Sequence, residues 1–543
     1  MSVTYWTTMI RSRNAWTVQV SCRSTISSSR VLSCSPTRSR SDPMNKLTSL
    51  LTTTAAAFGA ALGTLPAAER VAAATGTERP LNVLFILSDD LRTDLGSYGH
   101  PLAQTPAIDR LGAQGVRFEN AYCQYPLCNP SRTSMLIGRY PTTTGLYSNR
   151  NWFNGVYPDL VSLPKYFKAH GYQTLRTGKV FHGNIDDFEA WTEGGEPHAY
   201  GKQTLTPIGA RAVTDTEQQK HTQQIAAGDL TRARSSDRWE AVEGEAVATQ
   251  GDTRVADRAI EHLRRWKQAD APFFLACGFS KPHSPLVAPK EFFDKYPLES
   301  ITLPVDFAPR PTVPEGFPNG SIRPNNADLF VRRDATPEEA KAYIRAYLAC
   351  VSYVDWNVGR VLAELDKLGL RESTIVVFWS DHGYQLGEKG KWSKAGSLWE
   401  QGARVPLIIH DPRAKGNGCA STRIVQSVDL YPTLAALAKL PVPDGLDGAD
   451  LTPLLDDPEA AWDKPAYTVW NERDRGVTGV AVRTEKWRYA EFFGRDPGAF
   501  LTDPKNDPHE LKNLVGDPRY REVVTELAAL VKAHVRDQAE PAP

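Results

Sequence analysis

The chain has 543 residues, 41% of them hydrophobic, and its 63 basic side chains are balanced by 63 acidic ones. A formal net charge of zero excludes bulk attraction to nucleic acid or to an anionic membrane, so any preference for anions must come from a local basic cluster. The length allows one very large domain or a large and a small one, with ample apolar material for a core.

Residues 1–43 are rich in Ser, Arg and Thr without sustained apolar periodicity, and read as an upstream extension or disordered leader. From Met44 the character changes. Lys46 precedes a mostly apolar run from Leu47 to Leu65, which ends in small residues at Ala67, Ala68 and Ala72 to Ala74. That order matches an export signal over 44–74, so the protein is expected to be exported, periplasmic or secreted. Threonines and alanines dilute the run, which argues against a membrane anchor.

Next come short apolar runs that stop abruptly at chemically capable residues. "NVLFILSDD" carries Val83 to Leu87 into Asp89 and Asp90. "YQTLRTGKVFH" leads from Tyr172 to Leu175 into Gly178, Lys179 and His182. "PFFLACGFSKPH" delivers Lys281 and His283, and "STIVVFWSDHG" delivers Asp381 and His382. Continuous apolar runs of this length fit strands buried on both faces. Between them lie helical patterns. The clearest spans 337–367, where Thr336 and Glu339 can form a capping box, Pro337 takes the first helical position, and Tyr343, Tyr347, Val351, Val354, Val358, Val361 and Leu365 share one face.

This alternation predicts an α/β fold: a large mixed, mostly parallel central sheet sandwiched by helices. Segments 185–250 and 304–337 read as long loops of the kind that carry specificity. The catalytic domain is expected over 79–445. A smaller C-terminal α/β subdomain with a short antiparallel sheet follows over 446–543 and closes with a helix at 518–536.

Ligands of such sheets bind beyond the carboxyl ends of the strands, where these runs place Asp, Lys and His. Adjacent Asp89 and Asp90 cannot both ionise cheaply in a cleft unless a cation offsets them, and Asp381 with His382 completes a four-ligand set. Carboxylates favour Ca²⁺ or Mg²⁺, whereas the imidazole suits zinc or manganese better. Arg132, Lys179, His182, His283 and Lys394 together resemble an anion pocket with two acid/base groups, able to hold a tetrahedral oxyanion. Cys128 is the discordant member. The seven cysteines (22, 34, 123, 128, 277, 350, 419) show no zinc spacing, and a soft thiolate is a poor partner for a hard cation. Position 134, where a tyrosine-phosphatase-type thiol would require arginine, is serine. A redox thiol, a nucleophile at a helix start and a disulfide with Cys123 remain open from these residues alone.

"CNPSRTSMLIGRYP" at 128–141 resembles the signature of the formylglycine-dependent sulfatases, members of the alkaline-phosphatase-like superfamily. The likeness extends from "NVLFILSDDLR" at 82–92 through "KPHSP", "SDHGYQLGEKGKW" and "RVPLII" to "DPKNDPHELKNLVGDP" at 503–518. Within the family it is nearest to the iduronate-2-sulfatases, which share histidine rather than asparagine after Asp381; Tyr384 and the two long loops diverge. The resemblance implies a sulfuric ester hydrolase acting on a sulfated saccharide, with the 2-O-sulfate of a uronic acid as the expected target. It implies that a formylglycine-generating enzyme converts Cys128 to 3-oxoalanine (formylglycine). One Ca²⁺ would be held by Asp89, Asp90, Asp381, His382 and residue 128. One hydroxyl of the hydrated aldehyde would attack sulfur, and the other would collapse the covalent sulfate ester without water attacking sulfur. In the same implied scheme Arg132 and Lys179 orient the diol, Lys179 and Lys394 hold the sulfate, His283 protonates the leaving oxygen and His182 assists the elimination. Phosphonate monoester or phosphodiester hydrolysis on the same fold, and sugar binding by an unmodified chain, are the alternatives.

Overall fold

The apolar runs become strands because they can bury both of their faces. The computed structural model describes residues 5–12, 15–22, 79–149, 151–183, 185–195, 238–326, 328–331, 333–472 and 476–536. These fall into two units, 1–76 and 77–543. The first contains an antiparallel hairpin of β1 (Tyr5–Ser12) and β2 (Ala15–Cys22), inside the stretch read as a leader; the candidate export signal at 44–74 lies outside the described residues.

The second unit is built on a seven-stranded sheet. Its strands are β3 (Asn82–Asp89), β4 (Val116–Tyr122), β5 (Gln173–Gly178), β7 (Phe273–Pro282), β9 (Thr374–Ser380), β10 (Arg404–His410) and β11 (Ala420–Gln426), in the order β11-β4-β10-β9-β3-β7-β5. Only β10 runs against its neighbours; every other pairing is parallel. Pro406 has no N–H to give the ladder, and the β10–β4 register shifts there, between Val405 and Leu407. Alternate residues divide between two cores. Leu84, Ile86, Leu275, Val376 and Phe378 pack under the helices Gly251–Trp266 and Pro337–Lys367. Val83, Phe85, Phe274, Ile375 and Val377 pack under Cys128–Ile137 and Leu430–Leu437. This two-residue alternation, with both faces apolar, makes the sheet the middle layer of a sandwich.

The 31-residue helix Pro337–Lys367 begins as its sequence dictates: the Thr336 hydroxyl accepts from the Glu339 N–H and the Glu339 carboxylate accepts from the Thr336 N–H. A short parallel pair, β6 (Trp239–Val242) with β8 (Leu286–Pro289), forms a separate two-stranded sheet. At the C-terminal end β12 (Ala466–Asn471), β13 (Val477–Arg483), β14 (Arg488–Phe492) and β15 (Gly498–Thr502) form an antiparallel meander. Leu527 and Val531 of the helix Arg521–Arg536 pack on it; residues 518–520, read as the start of that helix, are a 3₁₀ turn. Among its described residues the 304–337 loop is irregular apart from an isolated bridge between Phe307 and Glu388, a 3₁₀ turn at Asn319–Ser321 and the first residue of the long helix, whereas 185–250 contains β6 and short helical turns on either side of 196–237, which lie outside the described residues.

Strands β5 and β7 close tightly where the site begins. A Cβ on Gly278 would lie 2.0 Å from the Lys179 carbonyl oxygen, and one on Gly178, whose φ is +72°, would lie 2.0 Å from the Gly278 carbonyl oxygen. Only glycine lets the two backbones approach so nearly. Gly278→Ala is therefore expected to destabilise the protein by about 1–3 kcal/mol or more and to displace Lys179. A chemical denaturation curve superimposable on wild type would contradict this packing.

Candidate active site

Consecutive strand residues point to opposite faces, so adjacent Asp89 and Asp90 should diverge. They converge because Asp90 adopts φ +65°, a left-handed conformation in which aspartate is among the more tolerated non-glycine residues. Its carbonyl accepts the Tyr347 hydroxyl at 2.7 Å, and its N–H donates to Asp381 Oδ1 at 3.2 Å. Asp381 follows β9, parallel to β3, so both strands bring their carboxylates to one edge of the sheet.

Cys128 opens the helix Cys128–Ile137 and is 1% exposed. Its neighbours fasten that opening: Asn129 Nδ2 donates to the carbonyls of Ser148 and Asn151 at 2.8 and 2.7 Å, and the Ser131 hydroxyl donates to the Asp381 carbonyl. One turn along, fully buried Arg132 spans the cluster. Its Nε donates to Asp381 Oδ2 at 2.8 Å, its Nη2 to Asp89 Oδ1 at 3.1 Å, and its Nη1 to the carbonyls of Lys179 and Val180. A planar fork can satisfy four acceptors in fixed directions; an ammonium cannot.

The remaining groups close around residue 128. Lys179 Nζ donates to Asp89, and Lys394 Nζ donates to Asp90 Oδ2 at 2.7 Å while standing 3.7 Å from Asp328. His382 Nε2 lies 3.3 Å from the Cys128 sulfur and 3.5 Å from both Asp90 Oδ1 and Asp381 Oδ2. His283 Nε2 is 4.0 Å from Asp90 Oδ2, and His283 and His182 both stand near enough to the Cys128 side chain to interact with it electrostatically. All ten residues singled out in the sequence thus meet at one point.

The electrostatics follow from burial and packing. Burial pushes the Cys128 thiol up, but the charges of Lys179, Lys394 and His382 outweigh it and hold the group well below the usual thiol range. Burial raises Asp89 too, yet Lys179, His283 and Arg132 prevail and keep it ionised below the ordinary carboxylate range. At Asp381 burial wins, pushing the carboxyl up to about 7 against Arg132 and His382. Burial pulls His382 down, but Asp381 and Cys128 outweigh it and raise the imidazole to about 10. Position 128 is therefore a place where negative charge is strongly favoured.

The donor atoms of Asp89, Cys128, Asp381 and His382 lie within 4.8 Å of one another, as do those of Asp89, Asp90, Cys128 and His283. Asp90 Oδ1 is buried and accepts no hydrogen bond among the described residues. A desolvated carboxylate oxygen that accepts no hydrogen bond, with His382 Nε2 at 3.5 Å, is available to a cation, and three carboxylates with one imidazole fit a hard divalent ion. The thiol is the one member that fits poorly, and an oxygen at position 128 would remove the mismatch. Cys123 and Cys128 are both free and buried, so they form no disulfide.

Several supporting residues carried no sequence signal. Asp252, near the start of the helix Gly251–Trp266, accepts the N–H groups of Ser280 and Lys281, each at 2.9 Å, and so holds the strand end before His283. Asp328 balances Lys394 from within a Pro- and Asn-rich loop. Tyr347 was legible only as an apolar position on its helix face. A cavity of about 270 Å³ opens beside the cluster, lined by Asp89, Lys179, Arg238, Asp252, His283 and Tyr353 among others.

Arg132→Met leaves two buried carboxylates without their shared donor. A loss of about 3–5 kcal/mol is expected, read as a lowered midpoint in thermal or denaturant unfolding; a loss under about 1 kcal/mol would show that the clamp does not hold the site together.

Residues 81–440 match the family model described as Sulfatase, and residues 387–537 match a model described as N-sulphoglucosamine sulphohydrolase, C-terminal. The chain is 33% identical to iduronate 2-sulfatase of Mus musculus over 512 residues, covering 80% of this chain and 89% of the relative. It is also 33% identical to the Homo sapiens iduronate 2-sulfatase over 511 residues, covering 79% and 88%. Among solved structures, a protein in complex with its substrate D-glucosamine-2-N,6-O-disulfate superposes with a TM-score of 0.65 at 23% identity, over 85% of this chain and 99% of that one.

Proposed function

The chain belongs to the sulfatase family, and on that premise we propose that it hydrolyses the 2-O-sulfate of a uronic acid in a sulfated saccharide. One observation carries the reaction: two lysines, an arginine and three histidines converge on a single buried side chain at the start of a helix, beside three carboxylates. The uronate preference draws on the likeness to the two iduronate 2-sulfatases, at one third identity over most of the chain.

In this proposal Cys128 is matured to formylglycine by a formylglycine-generating enzyme. The hydrated aldehyde presents two hydroxyls on one carbon, and the positive field that favours a thiolate at this position also acts to stabilise an alkoxide there. Asp89, Asp90, Asp381, His382 and residue 128 would hold one Ca²⁺, which when bound adds positive charge where the attacking oxygen and the sulfate accumulate negative charge. Arg132, fixed by its carboxylate and carbonyl partners, and Lys179 orient the diol. Lys179 and Lys394 hold the sulfate oxygens from two sides. His283 protonates the sugar oxygen as it leaves, a step a sugar alkoxide requires because it is a poor leaving group near neutral pH. Burial pulls His283 down, but Asp90 outweighs it and keeps the imidazole protonated above its ordinary range, as a general acid needs. His182, lowered by burial, stays neutral and can take the proton of the second hydroxyl as the sulfate ester collapses. Residues 79–445 would form the catalytic domain and 446–543 a C-terminal subdomain. The 44–74 segment would direct export to the periplasm or outside the cell.

Cys128→Ser supplies one hydroxyl and no second one, so the covalent sulfate ester has no exit. It should show at most a single turnover, with multiple-turnover rates down at least about a thousandfold and a sulfated peptide detectable by mass spectrometry. Sustained turnover by that variant would contradict the mechanism. For specificity, a panel of sulfated mono- and disaccharides should place 2-sulfated uronates highest in kcat/KM; exclusive turnover of non-uronate sulfates would remove the uronate assignment and leave the sulfatase reaction standing.

A further inference from the structure

The loop that supplies Asp328 to Lys394 also carries Arg323, an exposed arginine treated differently from its neighbours. Arg310 and Arg333 in the same stretch are ion-paired, with Asp334 and Glu339. Arg323 has no carboxylate partner among the described residues, yet it is held in place. Its stem lies across Gly396, where an added Cβ would come 2.5 Å from Arg323 Cδ, and its guanidinium sits 5.0 Å from the ring centroid of Trp470. A solvated surface arginine has no reason to be fixed on both sides. An arginine that awaits an anion does, because an aromatic backing restricts its rotamers while leaving the planar N–H fork free.

Both flanks lead to the reaction centre. Gly396 is two residues beyond Lys394, whose ammonium is 2.7 Å from Asp90. Trp470 packs against Tyr125 with ring centroids 5.2 Å apart, and Tyr125 is three residues before Cys128. Asp328, the nearest acidic residue of the loop in sequence, is already engaged by Lys394. Arg323, joined through Gly396 and Trp470 to segments that carry Lys394 and Cys128, is therefore a cation beyond those balanced by the buried carboxylates. A sulfated uronate bears a second anion, a planar carboxylate that matches the guanidinium fork.

We propose that Arg323, braced by Trp470 and Gly396, is the specificity-determining residue that binds the carboxylate of the sugar carrying the scissile sulfate. It rests on the uronate specificity proposed above. The test compares a 2-sulfated uronate glycoside with its carboxyl-reduced twin, in which a hydroxymethyl group replaces the carboxylate, on wild type, Arg323→Gln and Arg323→Lys. The wild-type enzyme should favour the uronate. In Arg323→Gln the ratio of the two kcat/KM values should fall about 10- to 100-fold, mainly through KM for the uronate, since the carboxylate is bound alike in ground and transition states. Arg323→Lys should keep part of the preference. Because the ratio is taken within one enzyme preparation, incomplete folding or maturation cancels. A ratio in Arg323→Gln within about twofold of wild type would overturn the assignment while leaving the uronate specificity intact. A wild-type ratio near one would overturn both, and that failure is visible before any variant is made.

Discussion

Three carboxylates sharing one dry site set the terms for everything around them. Asp89, Asp90 and Asp381 are each no more than 1% exposed, and such a cluster persists only where cations neutralise it. The chain supplies them from four separate places: Arg132 from a helix, Lys179 from the end of β5, Lys394 from a long loop and His382 beside Asp381. Removing one would leave a buried charge without a partner, so the folding of these segments is coupled through the site. The same excess of positive charge around residue 128 is what a sulfate ester needs. Stability and chemistry here draw on one electrostatic arrangement.

That arrangement depends on backbone features as much as on side chains. The parallel block β9-β3-β7-β5 delivers all its carboxyl ends to one edge. The left-handed conformation at Asp90 brings two consecutive carboxylates onto the same target. Gly178 and Gly278 let β5 and β7 close until Lys179 N–H reaches the Gly278 carbonyl at 2.9 Å. Behind them Asp252 and Tyr347 hold the backbone at the ends of β7 and β3. Positioning of this kind is what makes the donors effective, since their directions are set before a substrate arrives.

Outside this core a second cluster is assembled from distant parts of the chain. Tyr125, Arg323, Gly396 and Trp470 meet there, Trp470 coming from the antiparallel meander. The carboxylate centre and this cluster are thus built differently: one from strand ends locked in a sheet, the other from loops and an appended sheet.

Much of this was legible in the amino-acid sequence. Apolar runs ending in Asp, Lys and His announced buried parallel strands and the edge where their ligands lie, because a strand buried on both faces must be apolar until it leaves the sheet. The capping box at Thr336 and Glu339 located a helix start, since that pairing is local. The mismatch between a soft thiol and hard carboxylates marked Cys128, since ligand chemistry is a property of residue type. Tertiary structure decided what depends on groups far apart in the chain. Strands β4, β10 and β11 drew their places from neighbours rather than from their own patterns. Asp252, Asp328 and Tyr347 were silent because an aspartate near a helix start, one in a polar loop and an apolar-looking tyrosine have ordinary local explanations. Arg323 likewise looked like any loop arginine. Only when the fold sets it over Trp470 and against Gly396 does it become a cation without a carboxylate partner among the described residues.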